Sequence, residues 1–348
     1  MKRLTALAAA LLTAALLMGG CALKPADYSR TVAATYGTTN IYMDEAMFWL
    51  RLTQWDQEEQ YASLYAQYYG TSNMWDIIGN YNLGRTMGDL LKEDVMSQIL
   101  QRYVLCDQAE SLGVSLTEQD ITKGREFVQR LRDYYADALF QSIGSPTDEK
   151  LLEFVNRNSL AMKVMDAVKQ NLSVDVSLDE CDTFTVDYFR IATTAEADMK
   201  EAEEGEEPYV YNEELANKIK EEWSSGNSAD AVKTKYTGFA TYYNPVSLLR
   251  NDTENINLLY TQGKDLEDDQ YVVYYHESDK CWYVIHCIND HDAEATAKNL
   301  AKLTEEKRNE GFGPKYTEMA KAAPAYKVKA VYENVEMKET FVRKPAGK

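Results

Sequence analysis

The spacing of apolar residues changes once along this chain, and that change sets the fold class. Leu91, Val95, Ile99, Tyr103, Cys106 and Ala109 recur at intervals of three and four, which predicts one face of an amphipathic helix. Residues 183–191 instead alternate and are rich in β-branched and aromatic side chains, which predicts a strand. The chain reads as mainly helical before this point and as a mixed α+β module after it, without the strand–helix alternation of a doubly wound sheet. The expectation is an α+β protein, mostly helical, with a small antiparallel sheet flanked by helices.

The local signals fill in this plan. Residues 31–41 read as a strand with a turn at Gly37, and residues 44–60 as a helix. Gly113 is a plausible helix stop, and Thr117 with Asp120 resembles a capping box that opens the next helix. Pro146 is expected at the first position of a third helix, with Leu151, Phe154, Val155, Met162, Met165 and Val168 on its buried face. Residues 201–208 are an acidic run ending in Pro208, read as a solvated loop. Two helices over 212–224 and 229–236, a strand over 239–243, and two strands over 271–275 and 282–288 follow. A long charged helix over 293–321 and a strand over 326–332 close the chain. Tyr61, Tyr65, Tyr68, Tyr69, Trp75 and Tyr81 crowd a short stretch, which serves either packing or the binding of extended peptides.

Composition removes whole function classes. There are 37 Lys+Arg against 56 Asp+Glu, a net charge of −19, which argues against a nucleic-acid partner. Only His276, His286 and His291 are present, so a multi-histidine metal site is not expected, and no cofactor motif is found. His286 and Cys287 are adjacent on an expected strand and point to opposite faces, which argues against a Cys/His nucleophile or metal pair.

The first residues read as an address. Lys2 and Arg3 precede an apolar stretch over 4–18, which is too short to span a bilayer and reads as a signal peptide. Gly19, Gly20 and Cys21 resemble a bacterial lipobox, which implies lipidation of Cys21 and anchorage at the extracytoplasmic face of the cell membrane. Removing residues 1–20 takes two basic residues and no acidic one, so the mature chain is more negative still. Cys281 and Cys287 lie about 20 Å apart along one strand, too far to pair without a turn between them. With Cys106 and Cys181 they are read as buried free thiols.

Three pieces resemble one family. Residues 32–45 look like the opening segment of extracytoplasmic foldases. Residues 95–109 with 112–117 look like their arm helix and its LGIxVT-type exit. A two-helix spacer, a strand and a small α+β module follow in the same order. The family is the parvulin-type peptidyl-prolyl isomerases of the PrsA/SurA kind. The resemblance implies a signal peptide over 1–20, a lipidated tether over 21–30 and a helical chaperone arm over 31–180. It further implies an inserted parvulin-like module over 181–291 and a return to the arm over 292–348.

The module departs from the family where chemistry matters. Tyr188 stands where the family's ASHILV-like strand has histidine, and Tyr283 stands at the histidine of its GYHIIKV-like strand. His286 lies three residues beyond Tyr283, on the opposite strand face. The expected function is therefore a membrane-anchored chaperone or foldase of exported proteins, with Tyr188 and Tyr283 as a degenerate pocket and isomerase activity weakened or lost. Client contacts are expected at Tyr61, Tyr65, Tyr68 and Trp75. Expected partners are unfolded or newly secreted polypeptides, the membrane through the lipid, and a second copy in a homodimer. An active isomerase and a solute-binding surface lipoprotein are the competing readings.

Overall fold

The computed structural model describes residues 24–70, 73–191, 213–251 and 257–340. Cys21, the signal segment and the acidic run at 201–208 lie outside these residues. The chain divides into two compact units, one of residues 1–171 and 312–348 and the other of residues 172–311.

In the first unit, β1 (Val32–Tyr36) and β2 (Thr39–Tyr42) form a hairpin, and β9 (Tyr326–Val328) pairs with the other side of β1, giving the order β2-β1-β9. Gly37 sits in the hairpin turn at φ +55°, and a Cβ there would meet Pro324 at 2.8 Å, so glycine is required on both counts. Helix α1 (Met43–Tyr69) ends at Gly70, whose left-handed φ of 61° closes a C-cap bond to Ala66. The expected end at residue 60 fell short. No Gly or Pro interrupts residues 61–69, and Ala62 and Tyr65 pack against the core and carry the helix onward. A short hairpin, β3 (Ile78–Asn80) with β4 (Arg85–Thr86), leads to α2 (Met87–Cys106). Then come α3 (Glu118–Tyr134), α4 (Asp137–Ser142) and α5 (Asp148–Gln170).

Thr117 and Asp120 form the expected capping box at the start of α3. At α5 the cap is Thr147, which accepts from the backbone of Lys150, so Pro146 precedes the helix rather than opening it. Met162 is exposed, while Ala161 and Val164 fill the buried stripe. The core runs from Ala33 and Ile41 through Met47, Trp55, Ile99 and Phe154 to Tyr332. Residues Pro25–Arg30, expected as tether, form a 3-10 turn whose Tyr28 packs against this core.

The second unit begins with α6 (Leu178–Cys181) and β5 (Thr183–Ile191), followed by α7 (Glu213–Ser224), α8 (Ala229–Lys235) and β6 (Ala240–Leu249). After these come α9 (Leu258–Gly263), β7 (Tyr271–His276), β8 (Cys281–Asn289) and the start of α10 (Ala293–Ala322). The four strands form an antiparallel sheet ordered β6-β5-β8-β7. Phe189 and Ile191 pack with α7 and α8 on one face, and Phe184 and Val186 pack with Tyr260 of α9 on the other.

This unit is longer than the expected 181–291 at both ends. Lys307 of α10 donates to the Asp175 carbonyl at 2.7 Å, and Asn299 donates to the Thr183 hydroxyl at 2.8 Å, which binds the first half of α10 to residues 175–183. The second half contributes Phe312, Tyr316 and Met319 to the first unit, against Ala161, Val164 and Val168. Helix α10 is followed by β9 and by α11 (Ala330–Glu333). No helix among the described residues is long and apolar enough to cross a membrane.

Candidate functional site: a tyrosine face on the four-stranded sheet

Strand alternation decides which side chains meet. Tyr188 lies opposite Ile285, and Arg190 opposite Tyr283, so Tyr188 and Tyr283 are diagonal neighbours on one face. Their ring centroids are 6.0 Å apart. A third tyrosine joins them. The register of β5 and β6 shifts between Val186 and Tyr188, which face Val246 and Tyr243, so that Asn244 and Pro245 on β6 oppose the single Asp187 on β5. Proline is tolerated at such a bulge because it owes no ladder hydrogen bond there. The shift sets Tyr243 over Tyr188 in a near-parallel stack, 4.7 Å between centroids and 7° between planes.

The rim of this face is polar. Tyr283 donates from its hydroxyl to Asp279 Oδ2 at 2.7 Å, and His276 Nδ1 lies 2.9 Å from the same oxygen. Asp279 sits in the turn between β7 and β8, where the adjacent Lys280 adopts φ +52°. The hydrogen bond from Tyr283 first, and His276 second, hold the Asp279 carboxyl below the usual carboxylate range. Burial, and then the bond to Asp279, push the Tyr283 phenol up. Burial and the neighbouring Tyr243 do the same for Tyr188. Both phenols are therefore neutral donors at physiological pH. The face offers aromatic surface and O–H groups rather than a nucleophile.

Because the Asp279 carboxyl is depressed in the fold, its contribution to stability is present above its unfolded value, about 3.9. That contribution is lost as pH falls through the lower folded value. An NMR titration is expected to place the Asp279 midpoint below that of an unfolded peptide, and Tyr283→Phe to raise it. An unchanged midpoint in that variant would remove the assigned role of the hydroxyl.

His286 lies on the other face, as its spacing from Tyr283 requires. Its Nδ1 is 2.8 Å from Asp187 Oδ1, and its ring stacks on Tyr271 at 4.3 Å. Cys287 points away from it and is buried, and burial pushes its thiol up to about 11. Cys106 is raised to about 11 for the same reason. Cys106, Cys181, Cys281 and Cys287 are all free. No group of three His, Cys, Asp or Glu among the described residues is arranged to hold a metal ion.

The expected client contacts fall in the first unit and divide. Tyr61 is 44% and Tyr68 75% exposed on the last turns of α1. Tyr65 is half-buried and stacks on Tyr69 at 5.7 Å. Trp75 is 1% exposed and its Nε1 donates to Glu58 Oε1 at 2.7 Å. It is a core residue and offers no surface to a client. Sequence reasoning missed Tyr243, His276 and Asp279. The Asn244-Pro245 pair and an acid four residues before Tyr283 were the available signals.

No protein-family model matches the chain, and no curated protein matches it. Among solved structures it is similar to the foldase protein PrsA from Streptococcus pneumoniae, with 15% identity, 66% of this chain and 84% of that chain covered, and a TM-score of 0.29. It is similar to a peptidylprolyl isomerase, PrsA, from Bacillus cereus, with 14% identity, 76% and 97% covered, and a TM-score of 0.30. A SurA-like chaperone of Campylobacter jejuni gives 10% identity, 86% and 99% covered, and a TM-score of 0.28. At these scores the account of the fold rests on the strand order and register above. The described residues form an α+β fold with a four-stranded antiparallel sheet in the second unit.

Proposed function

We propose that this protein is an extracytoplasmic chaperone or foldase for exported polypeptides, tethered to the membrane through a lipid on Cys21, with little or no prolyl isomerase activity. One observation carries the reading of the pocket. Tyr188 and Tyr283, at both positions where the resemblance implies histidine, stand side by side as neutral phenols, and the hydroxyl of Tyr283 is committed to Asp279. Isomerisation needs no bond broken, only a preference for the twisted amide across a barrier of about 18–20 kcal/mol. A phenol already donating to a carboxylate has no second proton to offer that amide. The stacked tyrosines retain apolar surface for an extended segment.

Two assays test this together. The purified chain at several-fold excess is expected to delay aggregation of thermally unfolded citrate synthase. It is expected to leave a proline-limited refolding phase unaccelerated. No delay would sink the chaperone reading. Acceleration that disappears in Tyr188→Ala or Tyr283→Phe would replace it with an active isomerase.

A further inference from the structure

The small sheet of the first unit has an open edge. Gly37 donates to the Ala325 carbonyl at 2.8 Å and Lys329 donates to the Ala33 carbonyl at 2.9 Å, with Lys327 opposite Thr35 between them. Residues 325, 327 and 329 therefore direct their backbone groups to β1. Tyr326 and Val328 turn their N–H and C=O groups the other way, where no strand pairs with them among the described residues. The side chains of Tyr326 and Val328 also line a groove of about 500 Å³ beside α2. Its floor is apolar, made by Met96, Leu100 and Tyr332, all buried. Two pairs of rim charges offset each other, Arg85 with Glu93 and Lys92 with Asp89, Glu333 adds a further carboxylate to the lining, and Ser97 on α2 faces the opening.

We propose that the edge of β9 and this groove receive an extended polypeptide segment, which adds as a fourth strand to the order β2-β1-β9. The chemistry is that of strand addition: main-chain hydrogen bonds hold the segment, and alternate side chains enter the groove. The complementarity is to extended backbone, because the exposed groups are two amides in β geometry and most of the rim charge is paired within the rim. Strand addition therefore reads the main chain of an unfolded client with little regard to its sequence. The inference rests on the chaperone reading above and adds where the client backbone binds.

The test uses the full chain and fluorescently labelled, reduced and carboxymethylated α-lactalbumin, a permanently unfolded polypeptide, with binding followed by anisotropy. Val328→Pro deletes an outward N–H that β1 does not use, a place on an edge strand where proline is tolerated. Ser97→Trp fills the groove from an exposed helix position. Each is expected to weaken binding by about tenfold or more with an unchanged melting temperature. Should Val328→Pro unfold the edge, Ser97→Trp decides alone. Wild-type affinity in the folded variants would overturn the inference and leave the chaperone reading standing. Absence of binding by the wild-type chain would remove both. Loss of self-association in sedimentation, with probe binding unchanged, would assign the edge to a second copy and overturn the client site.

Discussion

Glu45→Ala is expected to destabilise the first unit by about 2–3 kcal/mol, below the cost for a fully buried ion pair, because the Arg157 side chain is 21% exposed. Glu45 is 3% exposed in the first turn of α1. Its carboxylate pairs with Arg157 of α5 and accepts from the Tyr103 hydroxyl of α2 at 2.9 Å. The Arg157 guanidinium also lies over the Tyr103 ring, 4.7 Å from its centroid. One carboxylate therefore joins three helices. Without it, Arg157 keeps only Glu153, at 3.2 Å, and the Tyr103 hydroxyl loses its acceptor inside the core. Urea denaturation of the full chain measures the effect. The double variant Glu45→Leu with Arg157→Met is expected to lie within about 1.5 kcal/mol of wild type, because an apolar pair of similar volume avoids the desolvation of both ions. A loss below about 1 kcal/mol in the single variant would show that water replaces the carboxylate at this site.

How far the fold is legible in the sequence depends on the range of the interaction. The Thr117–Asp120 cap spans three residues, and its chemistry is complete within that span. Strand β5 shows its boundaries because alternation and β-branching coincide there. The opposite placement of Tyr283 and His286 follows from strand geometry alone. Legibility fails where two local signals compete or where a distant element decides. Thr147 and Pro146 are both helix-starting residues, and the side-chain acceptor takes the cap. Trp75 looks like a surface aromatic until Glu58, seventeen residues earlier, supplies the acceptor that lets its indole be buried. Two of the three tyrosines of the face were readable, since Tyr188 and Tyr283 sit on strands with clear alternation. Tyr243 joins it through a register shift between β5 and β6; the adjacent Asn244-Pro245 pair hints at an irregularity there but does not say which residue of β5 lies opposite.

The opposite face of the same sheet gives the second large effect. Asp187→Ala is expected to destabilise the second unit by about 2–3 kcal/mol, because two partly buried polar partners lose their acceptor together. Asp187 is 5% exposed on β5. It accepts from the Tyr242 hydroxyl of β6 at 2.6 Å and lies 2.8 Å from His286 Nδ1 of β8. His286 in turn stacks on Tyr271 of β7, and its ring meets Trp223 of α7 edge-on at 5.1 Å. A single carboxylate thus links all four strands and the helix covering them. The histidine–aspartate pair looks like catalytic machinery in isolation, yet stacking and burial enclose it in the core. Asp187→Asn retains an acceptor for one partner and is expected to lose about half as much stability. Hydrogen exchange over 183–191 and 240–249 is the appropriate readout, since these strands share the network. If Asp187→Asn stays folded and loses client binding, the pair acts on the ligand and the face assignment is wrong. If it binds as wild type does, the dyad takes no part in recognition and serves the sheet that carries the tyrosine face.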